Sequence, residues 1–362
     1  MMKDKFKICY LGNGESIHTK RWVNHFAGLG HDVHLISSTK ADFENVTVHQ
    51  IEGAGYLDFI RKIFKCRKLV RKIKPDLIHA HFVTDYGFLG AMTGVHPLVI
   101  SPWGSDITRQ PDESMLFRFM VKYALKRADA VHCGDDTMAE RIRVLVGDTG
   151  NIYSIRWGVD SEFFVPASAR NPDEIRIIYL RISHDNYRTQ TLLGAMPEVL
   201  KKHKNVRFMI LKKGDHLDRT IEAIGKMDDR NRIEMIEPVP YDSMPEMLNG
   251  CDIYVDTVYN QTSGCGIGVT AQEAMSCGLP IVIANTSGYN QFVEHGVNGY
   301  VYQGMDSKAL ARALDELILD EGMRKRLGEK AREFILAGQS WQANMQEMER
   351  LYRKLIEKGD GK

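Results

Sequence analysis

Apolar and polar positions fall in alternating blocks along this 362-residue chain. FKICYLG is a short apolar run ending in glycine, HTKRWVNHFAGLG carries its apolar residues at helical spacing, and HDVHLIS is apolar again. That order predicts strand, helix, strand. DLIHAHF at 76–82 and PLVISPWG at 97–104 are apolar throughout, as strands buried on both faces of a parallel sheet are. Strands separated by helix-length segments predict right-handed crossovers. The pattern pauses in SIRWGVDSEFFVPASARNPDE (154–174), rich in turn formers, and restarts as EIRIIYLRI. NVRFMILKKGD, RIEMIEPVP, CDIYVDTVY and LPIVIANTSG follow, each after a helix-like stretch. The expected class is α/β, with two Rossmann-like doubly wound domains at 1–165 and 170–340 and a linker between them. The last amphipathic segment, Trp341 to Ile356, has no strand to lead into, so 341–362 is expected to return to the first domain. No solenoid-length repeat or low-complexity tract interrupts this plan.

Composition narrows the function classes. With 43% hydrophobic residues the chain is too apolar for disorder and too long for one core. Lys+Arg 48 against Asp+Glu 47 gives no whole-molecule attraction to nucleic acid. The six cysteines are scattered without a C-x-x-C pair, the usage of reduced cytosolic thiols, so neither a disulfide framework nor a zinc site is expected. Ile8 to Leu11 is too short for a signal-peptide core, and no apolar run approaches the roughly 18 residues of a membrane span. A cytoplasmic protein, at most peripheral on the inner face of a membrane, is expected. Residues 61–74, RKIFKCRKLVRKIK, carry eight basic side chains and no acidic one, with Ile60, Ile63, Phe64, Val70 and Ile73 at helical spacing. This amphipathic basic helix suits anionic lipid headgroups, or simply packs its apolar stripe on the sheet.

Open parallel sheets bind ligands beyond the carboxyl ends of their strands. After the first strand stand Gly12, Asn13, Gly14, Glu15 and Ser16, where glycines admit a ligand and a helix N-terminus follows. A third glycine is missing at Ile17 and the second strand ends in Ser37 and Ser38, so this is not a dinucleotide fingerprint, and a plain tight turn is an equal reading. SGCGIGVTAQEAMSCGLP (263–280) is more specific: Gly264, Gly266, Ile267, Gly268 and Val269 lead into a helix whose amides suit a diphosphate. Glu273 sits on that helix among small residues, where a carboxylate needs partners that ribose hydroxyls could supply. Arg181 follows the strand RIIYL, Arg188 lies seven residues on, and Lys212 and Lys213 precede Gly214, so cations gather at strand ends where a departing diphosphate develops charge. No D-x-D and no G-x-x-x-x-G-K-[ST] occurs, so neither a metal-bound nucleotide nor ATP hydrolysis is expected. His79 and His81, with Asp106 in SPWGSDI, are candidates for binding acceptor hydroxyls or for general base, or are core histidines. Trp103 is a core indole or a sugar-stacking platform.

From GNGESIHTKRWVNHFAGLGHDVHLIS through PDLIHAHF, SPWGSDI and RWGVDSEFFVP to EAMSCGLPIVIANTSGYNQFVEHGVNGYVY, nearly the whole chain resembles the family 4 glycosyltransferases of GT-B fold. The resemblance implies two Rossmann-like domains facing a cleft, a nucleotide diphosphate sugar held mainly by the C-terminal domain, and a glycan, lipid-linked or small-molecule acceptor held by the N-terminal one. It implies retaining transfer without a metal or other cofactor. Glu273 would be the second glutamate of the family's E-x7-E pair, binding ribose; Arg181 would be a diphosphate cation; Gly12 to Gly14 would lie near donor phosphates and acceptor; and the base would lie near Pro238 and Val239. Ser16, His81, Trp103 and Asp106 would face the acceptor. Three departures stand out: Cys265 replaces the first glutamate, Asn186–Tyr187–Arg188 replaces the usual lysine, and Trp103 replaces a frequent histidine. Cys265 at a helix start would favour a thiolate, and a covalent role for it is a sharper alternative. An inactive nucleotide- or glycan-binding partner subunit and a sugar nucleotide epimerase are the competing readings.

Overall fold

The structure is a computed structural model and describes residues 5–53, 56–167, 173–259, 267–286 and 289–360. By contact density the chain divides into two units, Met1–Arg156 with Gln346–Lys362, and Trp157–Met345.

The first unit runs β1 (Lys7–Leu11), α1 (Ile17–Gly28), β2 (Asp32–Ser37), β3 (Val46–Gln50), α2 (Tyr56–Ile73), β4 (Leu77–His81), a π-helical turn at Val83–Gly87, α3 (Phe88–Thr93), β5 (Leu98–Ser101), α4 (Ser105–Thr108), α5 (Gln110–Glu113), α6 (Met115–Arg127), β6 (Ala130–Cys133), α7 (Asp136–Val146) and β7 (Ile152–Ser154). Its seven strands pair in the order β3-β2-β1-β4-β5-β6-β7, all parallel. Strand order reverses beside β1, so the Gly12 loop opens at the switch point of the sheet. Every residue of β4, β5 and β6 is buried, as their continuous apolar character requires. The sequence pattern did not announce β3 or β6. VTVHQ is a partly exposed edge strand with three polar side chains, and AVHC is only four residues long.

The second unit runs β8 (Ile175–Tyr179), α8 (Thr189–Lys202), β9 (Val206–Leu211), α9 (Leu217–Gly225), β10 (Ile233–Ile236), α10 (Met244–Asn249), β11 (Ile253–Asp256), α11 (Val269–Ser276), β12 (Ile281–Ala284), β13 (Tyr300–Tyr302), α12 (Ser307–Leu319) and α13 (Glu321–Gly338). Six parallel strands pair in the order β10-β9-β8-β11-β12-β13, with the switch point between β8 and β11. One core cluster gathers α8 and α12 on Ile177, Phe208, Val255 and Val282, and another packs α11 and α13 on the opposite face.

The last helix, α14 (Trp341–Asp360), begins in the second unit and ends in the first. Its Tyr352 is buried in the first unit, where the hydroxyl lies 3.2 Å from that of Tyr10 and 2.5 Å from His79 Nδ1. The return expected for 341–362 thus starts at Gln346. Residues 157–165 fall with the second unit, not the first. Val159 exchanges backbone hydrogen bonds with the start of α14, donating to Gln339 O at 2.7 Å and accepting from Trp341 N at 2.8 Å. Phe164 is fully buried, and its carbonyl accepts from Arg332 Nη1 at 2.9 Å. These contacts turn a segment rich in turn formers into a strap on its own domain.

Candidate functional site

In the second unit the chemistry converges where β8 and β11 part. β8 ends at Tyr179, and two residues later Arg181 reaches across to Asp256, the last residue of β11. Arg181 donates from Nε at 3.0 Å and from Nη2 at 2.5 Å to one oxygen of Asp256, which is fully buried. The other oxygen accepts from the Val258 amide at 3.0 Å, and the Tyr289 hydroxyl lies 3.5 Å from the first. Burial works against the charge on Arg181, but the adjoining Asp256 carboxylate outweighs it and holds the guanidinium well above its ordinary pKa. The cation is therefore permanent.

This guanidinium lies flat against the start of α11. A Cβ on Gly268 would meet Arg181 Nη2, Nη1 and Cζ at 2.4, 2.5 and 2.7 Å, so only glycine admits the approach. Gly268 itself has φ −60° and ψ 153° and caps α11 without a side-chain bond. First-turn amides of the helix and a fixed cation thus share one spot, as an anionic diphosphate requires. Ile267 is buried, while Val269 is half-buried at the helix start. Glu273 lies one turn further along, 5% exposed. Its charge is felt by Tyr254 on β11, whose hydroxyl is raised first by burial. Tyr254 Oη is buried without a hydrogen-bond partner among the described residues. Gly264, Cys265 and Gly266 lie outside the described residues.

The loop after β8 is fastened to the loop after β9. Ser183 N donates to Lys213 O at 2.7 Å and Ser183 O accepts from His216 N at 2.9 Å. Gly214, at φ +127°, passes so close that a Cβ would sit 2.4 Å from Ser183 O. That approach closes the two loops on each other. Lys212 turns outward to Glu237 at 2.6 Å. Arg188 caps α8 in a left-handed conformation, φ 52°, and lines a cavity of about 230 Å³ with His184, Thr191, His216 and Met305, whose described walls include neither Arg181 nor Gly268. Tyr187 of that stretch is beside the cation, its ring 5.4 Å from Arg181 Cζ. Val239 is half-buried in the turn after β10. Sequence reasoning missed Asp256 and Tyr289. The signal for Asp256 was a carboxylate ending the apolar run DIYVD; Tyr289 had none.

In the first unit the Gly12 loop closes over buried polar groups. A Cβ on Gly12 would lie 3.1 Å from Thr19 Oγ1 and 3.5 Å from His81 Nδ1, and one on Gly14 would lie 2.5 Å from Ala41 Cβ. Gly14 N donates to Ser37 Oγ at 3.0 Å. Asn13 spends its side-chain oxygen inside the loop, accepting from Glu15 N at 2.9 Å and Thr39 Oγ1 at 2.8 Å. Ser16 caps α1 without a side-chain bond, and no acidic residue occupies the first turn. His81 is fully buried, and neither ring nitrogen has a hydrogen-bond partner among the described residues. Burial first, then His132 and His18, push it down to about 3, so the ring is neutral. Trp103 lies 5.5 Å from both His81 and His18. Asp106 is fully buried and accepts from the amides of Val83 at 2.7 Å, Trp103 at 3.0 Å and Gly104 at 2.9 Å. Burial raises its carboxyl to about 6 against those amides. It shapes the turn that carries Trp103, with its oxygens already engaged. His79 belongs to a buried chain, Nε2 to Ser101 Oγ at 2.6 Å and on to His132 Nδ1 at 2.7 Å.

Comparisons with known proteins bear on family and fold. Residues 7–134 match the family model for glycosyl transferase 4-like domains, and residues 160–334 that for glycosyl transferases group 1. An uncharacterized glycosyltransferase of Methanocaldococcus jannaschii is 24% identical over 96% of this chain and 95% of its own. The N-acetyl-alpha-D-glucosaminyl L-malate synthase of Bacillus anthracis is 19% identical over 92% of both. The crystal structure of HepE from Anabaena with UDP-glucose superposes with a TM-score of 0.78 at 17% identity, covering 97% of this chain and 100% of that one. Two consecutive family domains, each on its own parallel-sheet unit, make this chain a family 4 glycosyltransferase of GT-B fold.

Proposed function

We propose that the enzyme transfers a hexose from a uridine diphosphate sugar to a glycan or lipid-linked hydroxyl, with retention of anomeric configuration and without a metal. The observation that carries this reading is the Arg181 guanidinium laid on Gly268 at the head of α11 with its charge fixed by Asp256. In the reaction the bond from the anomeric carbon to the diphosphate breaks as the bond to the acceptor oxygen forms on the same face. The acceptor proton passes to the departing phosphate oxygen. Charge developing on that diphosphate meets Arg181 and the α11 amides, which do the electrostatic work a divalent cation does elsewhere. Glu273, on the same helix, receives the ribose hydroxyls. HepE, similar in fold, is described in complex with UDP-glucose, which supports the uridine donor.

On the acceptor side, the Gly12 loop and half-buried Trp103, backed by the buried neutral ring of His81, offer an uncharged face with one indole suited to a sugar. The basic helix α2 would rest on an anionic membrane surface and bring a lipid-linked acceptor within reach. No helix among the described residues is long and apolar enough to cross a membrane. Incubating purified protein with UDP-sugars and mixed glycan acceptors in chelator, and reading the product by proton NMR, tests the reading. A product with the donor's anomeric configuration is expected. An inverted product, or binding of UDP with no sugar release, overturns it.

A further inference from the structure

On the first unit, α6 adds to α2 a feature that the basic sequence does not contain. Met115, Leu116 and Phe119 stand 80%, 58% and 58% exposed at its start, and Phe64 of α2 is 67% exposed. Behind them on α6 come Arg118, Lys122, Lys126 and Arg127, with no acidic residue from 115 to 127. The two helices lie on either side of α3 and are joined through it by aromatic rings. Phe59 of α2 stacks on Phe88 at 6.0 Å, Phe88 meets Tyr123 of α6 at 5.3 Å, and Tyr123 meets Phe119 at 5.9 Å. Of the nearby carboxylates, Asp58 is engaged with Arg61 at 2.9 Å, Glu113 with Arg109 at 3.0 Å and Asp112 with Arg141, while Asp85, facing Lys62, is raised by burial.

We infer that α2 and α6 form a single docking surface for an anionic lipid bilayer, in which Met115, Leu116, Phe119 and Phe64 enter the headgroup region and the cations of both helices lie on the lipid phosphates. This rests on the membrane reading of residues 61–74 above and adds the inserting edge. A nearly neutral chain that places seven cations on residues 61–73 of one helix and four on another, with no acid in either stretch, is shaped for a plane of negative charge. Large apolar side chains held in water beside those cations are the other half of an interfacial anchor. A second copy of the same face would bring like charges together, which argues against self-association. α6 begins at the carboxyl edge of the first sheet, two short helices after Trp103, so docking sets the bilayer beside the edge that carries Trp103 and the Gly12 loop.

Sedimentation of the full chain with phosphatidylcholine vesicles, with and without phosphatidylglycerol, tests the surface. Wild-type protein is expected to pellet only with phosphatidylglycerol present. Leu116→Ser with Phe119→Ser should weaken that binding at least about tenfold, and Lys122→Glu with Lys126→Glu should abolish it at moderate salt. All four positions are exposed or half-buried on one helix, so donor turnover in solution should stay unchanged and report an intact fold. Phe119→Trp should shift its emission to the blue on vesicles and be quenched by brominated acyl chains. If wild-type protein fails to pellet, the membrane reading falls and takes this surface with it. If wild type pellets but Leu116→Ser/Phe119→Ser pellets equally and Phe119→Trp is not quenched, the α2 contact survives and the inserting edge is overturned. A dimer in solution that Phe119→Ser dissociates would assign the patch to a second copy instead.

Discussion

Arg181 is a charge that burial opposes and one carboxylate sustains, so its partners are the sensitive points of the donor site. Gly268 has an ordinary backbone conformation, and the nearest atoms an alanine Cβ would meet there are those of the guanidinium. Gly268→Ala should therefore fold normally yet weaken UDP binding about tenfold, or ~1.4 kcal/mol, as titration calorimetry would read. Unchanged affinity would mean the cation does not sit where the diphosphate binds. Asp256→Ala leaves a largely buried cation unpaired and should cost about 3 kcal/mol of stability, seen as an earlier denaturant midpoint; a cost near zero would mean solvent already carries that charge. Arg181 was legible in sequence because a cation directly after an apolar strand stands at the ligand edge of a parallel sheet. Asp256 was not, because its meaning depends on β8 and β11 being neighbours, and adjacency across the switch point is a property of topology. Arg188, seven residues after Arg181, lines a cavity whose described walls leave Arg181 out, and sequence spacing alone does not show on which side of the loop it stands.

At the scale of elements, the site depends on two fastenings. The first is Gly214, whose left-handed backbone and contact with Ser183 hold the loop after β8 against the loop after β9. Gly214→Ala adds strain of about 1–3 kcal/mol and displaces the segment from which Arg181 springs. Both thermal stability and UDP affinity should fall; loss of neither would mean the loops are not coupled. The second is Tyr352 on α14, whose hydroxyl lies between Tyr10 and His79. Tyr352→Phe leaves buried partners unsatisfied at about 1–3 kcal/mol, and hydrogen exchange should rise first in β1 and β4. Periodicity identified α14 and its return because a long amphipathic helix with no following strand has one sensible use. It did not show that 157–165 would pack on the second unit, because that strap is held by backbone hydrogen bonds and a single phenylalanine rather than by a repeating pattern.

Over the whole molecule, the first unit buries a set of neutral histidines. Burial lowers His79 well below its usual value, His81 to about 3, and His18 and His132 to about 4. In the unfolded chain each titrates near ~6.5. Between those values the unfolded state binds more protons, so the stability these rings contribute is complete above about pH 6.5 and is lost as pH falls. Asp106, raised to about 6, and Asp85, also raised by burial, work the other way but are two groups against four. The thermal midpoint should decline steadily from pH 7 to pH 5, and a flat profile would show the histidines are already charged in the fold. The division into two parallel-sheet units was legible from block periodicity alone. The chemistry was legible only where glycines and charges sit directly at strand ends.

The most direct test of the account is turnover of a UDP-sugar by wild-type protein and by Arg181→Ala, both in excess chelator. Wild-type activity in chelator that falls about 10²–10³-fold in the variant, with the fold unchanged, is the predicted result. Activity that appears only when divalent metal is restored, or that Arg181→Ala leaves intact, would contradict the assignment of leaving-group stabilisation to Arg181 and the head of α11.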